Sequence, residues 1–172
     1  DDLSSKLLRY KYDGSFVDEY FSIDLMRDFA CIDGKFICIL DAYLKELRSG
    51  VWTTDSNGQY VKTLRPKNPD NIFEAIYPHY YNLHADGISY YDRYDNRLYF
   101  VTPDSAYLKY TLNLDMALPK RVKKDGDGID LQGFFMLATC YDFANYLLLY
   151  YSSTERFYQV LFNKSDSTYK VT

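Results

Sequence analysis

Only two histidines, His79 and His84, occur in the 172 residues, and a hydrolase of the common kind needs a nucleophile beside such a base. Five positions apart on an extended strand, the two imidazoles would fall on opposite faces. No Gly-x-Ser-x-Gly run is present to build a nucleophile elbow, and neither common glycine loop that cradles phosphate occurs. Surface or sheet-edge places are therefore expected for both histidines.

Metal chemistry fares no better. Cys31, Cys38 and Cys140 lack the close pairing of ligands that zinc sites use. Asp125-Gly126-Asp127-Gly128-Ile129-Asp130 places oxygen ligands at alternate positions, as calcium loops do. An EF-hand would need a polar ligand where Ile129 stands and a glutamate where Met136 stands, so a turn is the expectation. Carboxylate pairs such as Asp92 with Asp95 or Asp18 with Glu19 suit glycoside chemistry only when they flank a cleft, which sequence does not place. No metal, cofactor or catalytic residue is assigned.

The tyrosines are more informative. The chain has 20 Tyr and 11 Phe, 19% aromatic, and flat rings pack well on pleated, half-wet sheets. Tyr80-Tyr81, Tyr90-Tyr91-Asp92-Arg93-Tyr94 and Tyr150-Tyr151 fall at expected strand ends. Rings beside Asp and Arg combine flat apolar contact with directional hydrogen bonds, which suits a sugar or a peptide. Tyr90, Tyr91, Asp92, Arg93 and Tyr94 are accordingly the candidate ligand-binding residues. The alternative is that alternate members of each pair pack between sheets.

The elements that must position them are strands. Helical signal is confined to Asp41 to Leu47, too short to stand alone. One hairpin type recurs, at Leu8 to Tyr20 around Asp13-Gly14, Val51 to Leu64 around Asn57-Gly58, Leu98 to Tyr110 around Asp104-Ser105, and Phe157 to Val171 around Ser165-Asp166. A different hairpin precedes each later copy: Phe29 to Leu40 around Asp33-Gly34, Tyr80 to Tyr91 around Asp86-Gly87, and Phe134 to Tyr150. The apolar runs Phe36 to Leu40 and Tyr146 to Tyr151 suit strands buried on both faces. With a two-residue turn at Asp33-Gly34, Cys31 faces Phe36 and Cys38 faces Phe29. The two thiols are then not opposed, so all three cysteines read as small buried hydrophobes, with the disulfide state of Cys31 and Cys38 left open.

Two unlike hairpins make four strands per unit, and starts near residues 8, 51, 98 and 157 give steps of about 43, 47 and 59 residues. Four-stranded antiparallel sheets at that period are blades of a β-propeller, about three and a half of them, at roughly 1–20 (partial), 22–64, 76–114 and 133–172. A single β-sandwich is the alternative all-β reading.

The stretch Gly34-Lys35-Phe36-Ile37-Cys38-Ile39-Leu40-Asp41 followed by Asp55-Ser56-Asn57-Gly58-Gln59-Tyr60-Val61-Lys62 resembles the six-bladed β-propeller proteins of Bacteroidetes, an NHL-like propeller group. Tyr94 to Val101, with Lys109 to Asp115 and Leu118-Pro119 after it, looks like that group's late-blade strands. Six blades need more chain than this, so the resemblance implies the C-terminal portion of a longer protein that begins here inside a blade. It also implies export, commonly as a lipid-anchored envelope protein, and it supplies no catalytic residues.

A net charge of −4, with Lys120-Arg121-Val122-Lys123-Lys124 as the densest basic run, gives no basic face for nucleic acid. No apolar run has the length of a membrane span. The function expected is a non-enzymatic, extracytoplasmic binding module for a glycan or a partner protein. The alternative is a hydrolase or lyase whose site needs blades absent from this chain.

Overall fold

The structure is a computed structural model, and it describes residues 5–22, 28–40, 50–66, 81–92, 96–112, 136–152 and 156–172. All regular structure among them is β. Sheet 1 is a hairpin, β1 (Ser5–Tyr10) and β2 (Phe16–Ser22). Sheet 2 contains β3 (Asp28–Ile32), β4 (Lys35–Leu40), β5 (Gly50–Thr54) and β6 (Tyr60–Pro66). Sheet 3 contains β7 (Tyr81–Leu83), β8 (Ile88–Asp92), β9 (Arg97–Val101) and β10 (Ala106–Thr111). Sheet 4 contains β11 (Met136–Asp142), β12 (Tyr146–Ser152), β13 (Phe157–Asn163) and β14 (Tyr169–Val171). Sheets 2, 3 and 4 are each four-stranded, antiparallel, and hydrogen-bonded in chain order. The expected four-stranded antiparallel units are thus present. The short helix expected at Asp41 to Leu47 lies outside the described residues.

Turn chemistry sets the registers. Asp33 and Gly34 both adopt positive φ, 49° and 75°, the conformation a two-residue hairpin requires. That turn pairs Cys31 with Phe36 and Cys38 with Phe29, as read from the sequence. All three cysteines are free thiols. Cys31, however, is exposed, whereas Cys38 and Cys140 are buried. The expectation for Cys31 fails because alternation turns it with Phe29 to a side of β3 that the described residues leave open.

Alternation also places the core. Along β8, Ile88 and Tyr90 point one way and join Tyr99 and Val101 against Ala30, Ile32, Ile37, Ile39 and Val51 of sheet 2. Tyr91 points the other way and joins Leu98 against Cys140, Leu147, Leu149 and Tyr151 of sheet 4. The central strands of sheet 3, β8 and β9, are therefore buried on both faces between its neighbours. Each fully buried aliphatic chain contributes about 1.5–3 kcal/mol. β4 is buried on both faces as expected. β12 is not: Leu147, Leu149 and Tyr151 are buried, but Tyr146 on the opposite face is 42% exposed. An apolar run shows that a strand can be buried on two faces, and a second sheet must be present to bury it.

Gly87, just before β8, marks a close approach in this core. A Cβ there would strike the Val101 carbonyl and lie 3.0 Å from the Phe100 ring. The loop can reach this place only without a side chain.

Candidate functional site

The two faces of sheet 3 decide what its tyrosines can do. Tyr90 and Tyr91, first among the candidate ligand residues, are 5% and 7% exposed, packed toward sheets 2 and 4 respectively. The Tyr91 hydroxyl donates to Asn96 Oδ1 at 2.7 Å. Asp92 accepts from Arg65 of β6 at 3.0 Å, and that guanidinium lies 3.8 Å over the Tyr99 ring. Arg93 and Tyr94 lie outside the described residues, as do His79, the basic run 120–124 and the acidic run 125–130.

A polar cluster between sheets 3 and 4 escaped the sequence reading. Its centre is Asp142, the last residue of β11, whose side chain is 1% exposed. Ser89 Oγ of β8 donates to Asp142 Oδ2 at 2.6 Å, and Lys109 Nζ of β10 donates to the same oxygen at 2.7 Å. Lys164 Nζ, just past β13, reaches Asp142 Oδ1 at 2.5 Å and also bonds the Phe143 carbonyl. The backbone N–H of Asp142 donates to Asn82 Oδ1 of β7 at 2.6 Å. Burial alone would push the Asp142 carboxyl up, but the hydrogen bonds from Lys109, Lys164 and Ser89 outweigh it and hold the group below the usual carboxylate range.

His84, in the loop after β7, places Nε2 2.8 Å from Ser89 Oγ. The trio of His, Ser and Asp invites comparison with a hydrolase, yet the proton polarity is reversed. The ionised Asp142 can only accept, so the single Ser89 proton is committed to it, and His84 must donate from Nε2 to Ser89 Oγ. A serine nucleophile needs its proton taken by histidine. Here Ser89 is a bridge. The cluster's chemistry is that of an ionic clamp across two sheets.

Sheets 3 and 4 also line a cleft of about 320 Å³. Leu147, Leu149, Val160 and Phe162 line it from sheet 4. Tyr110 of β10 and Leu112 just past it line it from sheet 3, while Tyr151 and Tyr169 add two more phenol rings. Tyr169 is 71% exposed. Burial pushes the Tyr151 hydroxyl well above its ordinary value, so it remains a neutral donor. An apolar floor with hydroxyls nearby is the usual composition of a binding site, and this volume is at the small end of the range. Sequence could have flagged Tyr110 and Tyr169 as aromatic residues in second hairpins. It could not show that the two copies face each other.

Among the described residues, no group of three His, Cys, Asp or Glu side chains is placed to hold a metal ion. Among the same residues no helix is long and apolar enough to cross a membrane.

No protein-family model matches the chain, and no curated protein is similar to it. Among solved structures the chain is similar to a protein of Bacteroides fragilis predicted to be exported, with a TM-score of 0.75 and 14% identity. The likeness covers 100% of this chain and 53% of that one, and at this identity it concerns the fold. The chain thus spans about half the length of that protein.

Proposed function

We propose that this chain is part of an extracytoplasmic β-propeller that works as a non-enzymatic binding module, taking a glycan or a partner protein at the cleft between sheets 3 and 4. The ring arrangement is supported by three successive four-stranded meanders, each packed on the next. The extracytoplasmic place is supported by the likeness in fold to a Bacteroides fragilis protein predicted to be exported. Binding at the cleft is carried by one observation: an apolar floor between two sheets is lined by Tyr110, Tyr151 and Tyr169. Phenol rings give a sugar's C–H face or an apolar side chain a flat contact, and their hydroxyls satisfy its polar edge. Asp92, the last residue of β8, with Arg93 and Tyr94 after it in the sequence, remain candidate contacts.

The alternative, a hydrolase or lyase whose site needs blades absent from this chain, draws no support from Ser89, whose proton is given to Asp142. A panel of glycans and envelope proteins, probed with the folded chain and with Tyr169→Ala, tests the binding reading. The expected result is a ligand whose affinity falls about tenfold or more in the variant, as for a lost aromatic anchor. Equal affinity in both proteins would remove the cleft from the account.

A further inference from the structure

Tyr169, which lines the cleft between sheets 3 and 4, belongs to β14, the last strand of sheet 4. We infer that the outer edge of β14 takes an extended peptide segment of a partner protein as a further strand, with apolar side chains at alternate positions and an acidic residue between them. The inference rests on the reading of the cleft as a binding site and names the class of its occupant.

The main chain of β14 is set for strand addition. Thr172 and Gln159 exchange both main-chain bonds, N–H to carbonyl at 3.0 Å each way. In an antiparallel ladder such pairs alternate with pairs whose N–H and C=O groups point away from each other. Lys170, opposite Leu161, therefore bonds inward to β13. Tyr169, opposite Phe162, and Val171, opposite Val160, turn their main-chain groups outward. Among the described residues β14 pairs with β13 alone, and Tyr169 and Val171 are 71% and 51% exposed. A strand laid along this edge satisfies the outward N–H and C=O of both residues.

The side chains decide what that strand must carry. Leu147, Phe162 and Tyr169 stand opposite one another across β12, β13 and β14, and Leu149, Val160 and Val171 form the next row. All of these except Val171 line the cleft. An added strand prolongs both rows, so its residues at i and i+2 fall on the cleft face and have to be apolar. Its residue at i+1 falls on the opposite face, beside Lys170. Lys170 is exposed and has no carboxylate partner among the described residues. A carboxylate at i+1 completes a cross-strand ion pair with it.

The lining favours a peptide over a sugar. Among the described residues of the cleft, hydroxyls of Tyr110, Thr111, Tyr151 and Tyr169 are the only polar side-chain groups, with no amide or charge to hold a sugar's hydroxyls. The last strand of sheet 2 is different. There Lys62 Nζ of β6 donates to the Asp104 carbonyl at 2.6 Å and Arg65 to Asp92 at 3.0 Å, so cations tie β6 to sheet 3. Charged side chains of that kind blunt an edge. On its cleft face β14 carries only Tyr169 and Val171.

Capped peptides with Ile, Leu, Phe or Tyr at two alternate positions flanking a glutamate are the probes, and their counterparts with lysine for that glutamate are the controls. Hydrogen exchange with the glutamate peptides should slow about tenfold or more at the Tyr169 and Val171 amides and stay unchanged at Lys170, which is already bonded inward. Methylating the peptide's main-chain nitrogens should abolish that protection, and Lys170→Glu should turn the preference toward the lysine peptides. Peptide binding that leaves the Tyr169 and Val171 amides unprotected overturns strand addition while leaving the cleft reading intact. Binding of glycans alone does the same. Binding of neither peptides nor glycans removes both the inference and the reading on which it rests.

Discussion

Lys164 Nζ lies 2.5 Å from Asp142 Oδ1, at a carboxylate whose second oxygen is taken by Ser89 and Lys109. One acidic side chain thus joins β8, β10, β11 and the end of β13. Desolvating it would be costly alone, and it is tolerated because both oxygens are charge-paired.

Replacing it with asparagine leaves Lys164, 13% exposed, without its counter-ion. Asp142→Asn should cost about 3 kcal/mol, at the low end for a broken buried pair because Lys109 is 29% exposed and can rehydrate. Urea denaturation measures the loss. A change below about 0.5 kcal/mol would mean that the clamp contributes nothing net.

The same group sets an acid dependence. Its folded pKa is held below the ordinary value of 3.8, so the unfolded chain binds the proton more readily. The stabilisation is present above 3.8 and is lost as pH falls through the folded value. Stability curves of the wild type and Asp142→Asn should therefore converge below about pH 4 and separate above it. Parallel curves across that range would contradict the assignment.

Thiol reactivity should sort the cysteines. Cys31 is exposed, whereas Cys140 is buried and its thiol is pushed up to about 12 by desolvation and by Asp142. Native protein should react with a maleimide at Cys31 alone, and Cys38 and Cys140 should react only on unfolding. Peptide mapping of the labelled protein reads this directly. Native labelling of Cys140 would contradict the packing of sheets 3 and 4.

How far the sequence announced this structure depends on the range of the interaction. Asp33-Gly34 is a local signal, so its turn and the pairing of Cys31 with Phe36 were legible. Alternation placed Tyr90 and Tyr91 on opposite faces, but not that sheets 2 and 4 bury both. Asp142 followed by Phe143-Ala144-Asn145 reads as the start of a polar turn. Its partners Asn82, Ser89, Lys109 and Lys164 come from four separate strands or loops, and no spacing rule connects them. The cleft was hidden for the same reason, because Tyr110 and Tyr169 belong to different sheets.

Gly87→Ala offers a check on the sheet 3 core. The added methyl meets the Val101 carbonyl, a backbone atom with little freedom to move. A loss of about 2 kcal/mol is expected, within the range for overpacking. Thermal denaturation at unchanged stability would show that the loop moves freely.

The cleft itself is tested most directly by nuclear magnetic resonance of ring-labelled tyrosine during titration with a ligand from the binding panel. Tyr110, Tyr151 and Tyr169 should shift together and saturate at one affinity, while Tyr12, fully exposed at the β1–β2 turn, stays in place. Shifts confined to Tyr12, or absent from all three cleft rings at saturating ligand, would contradict the account.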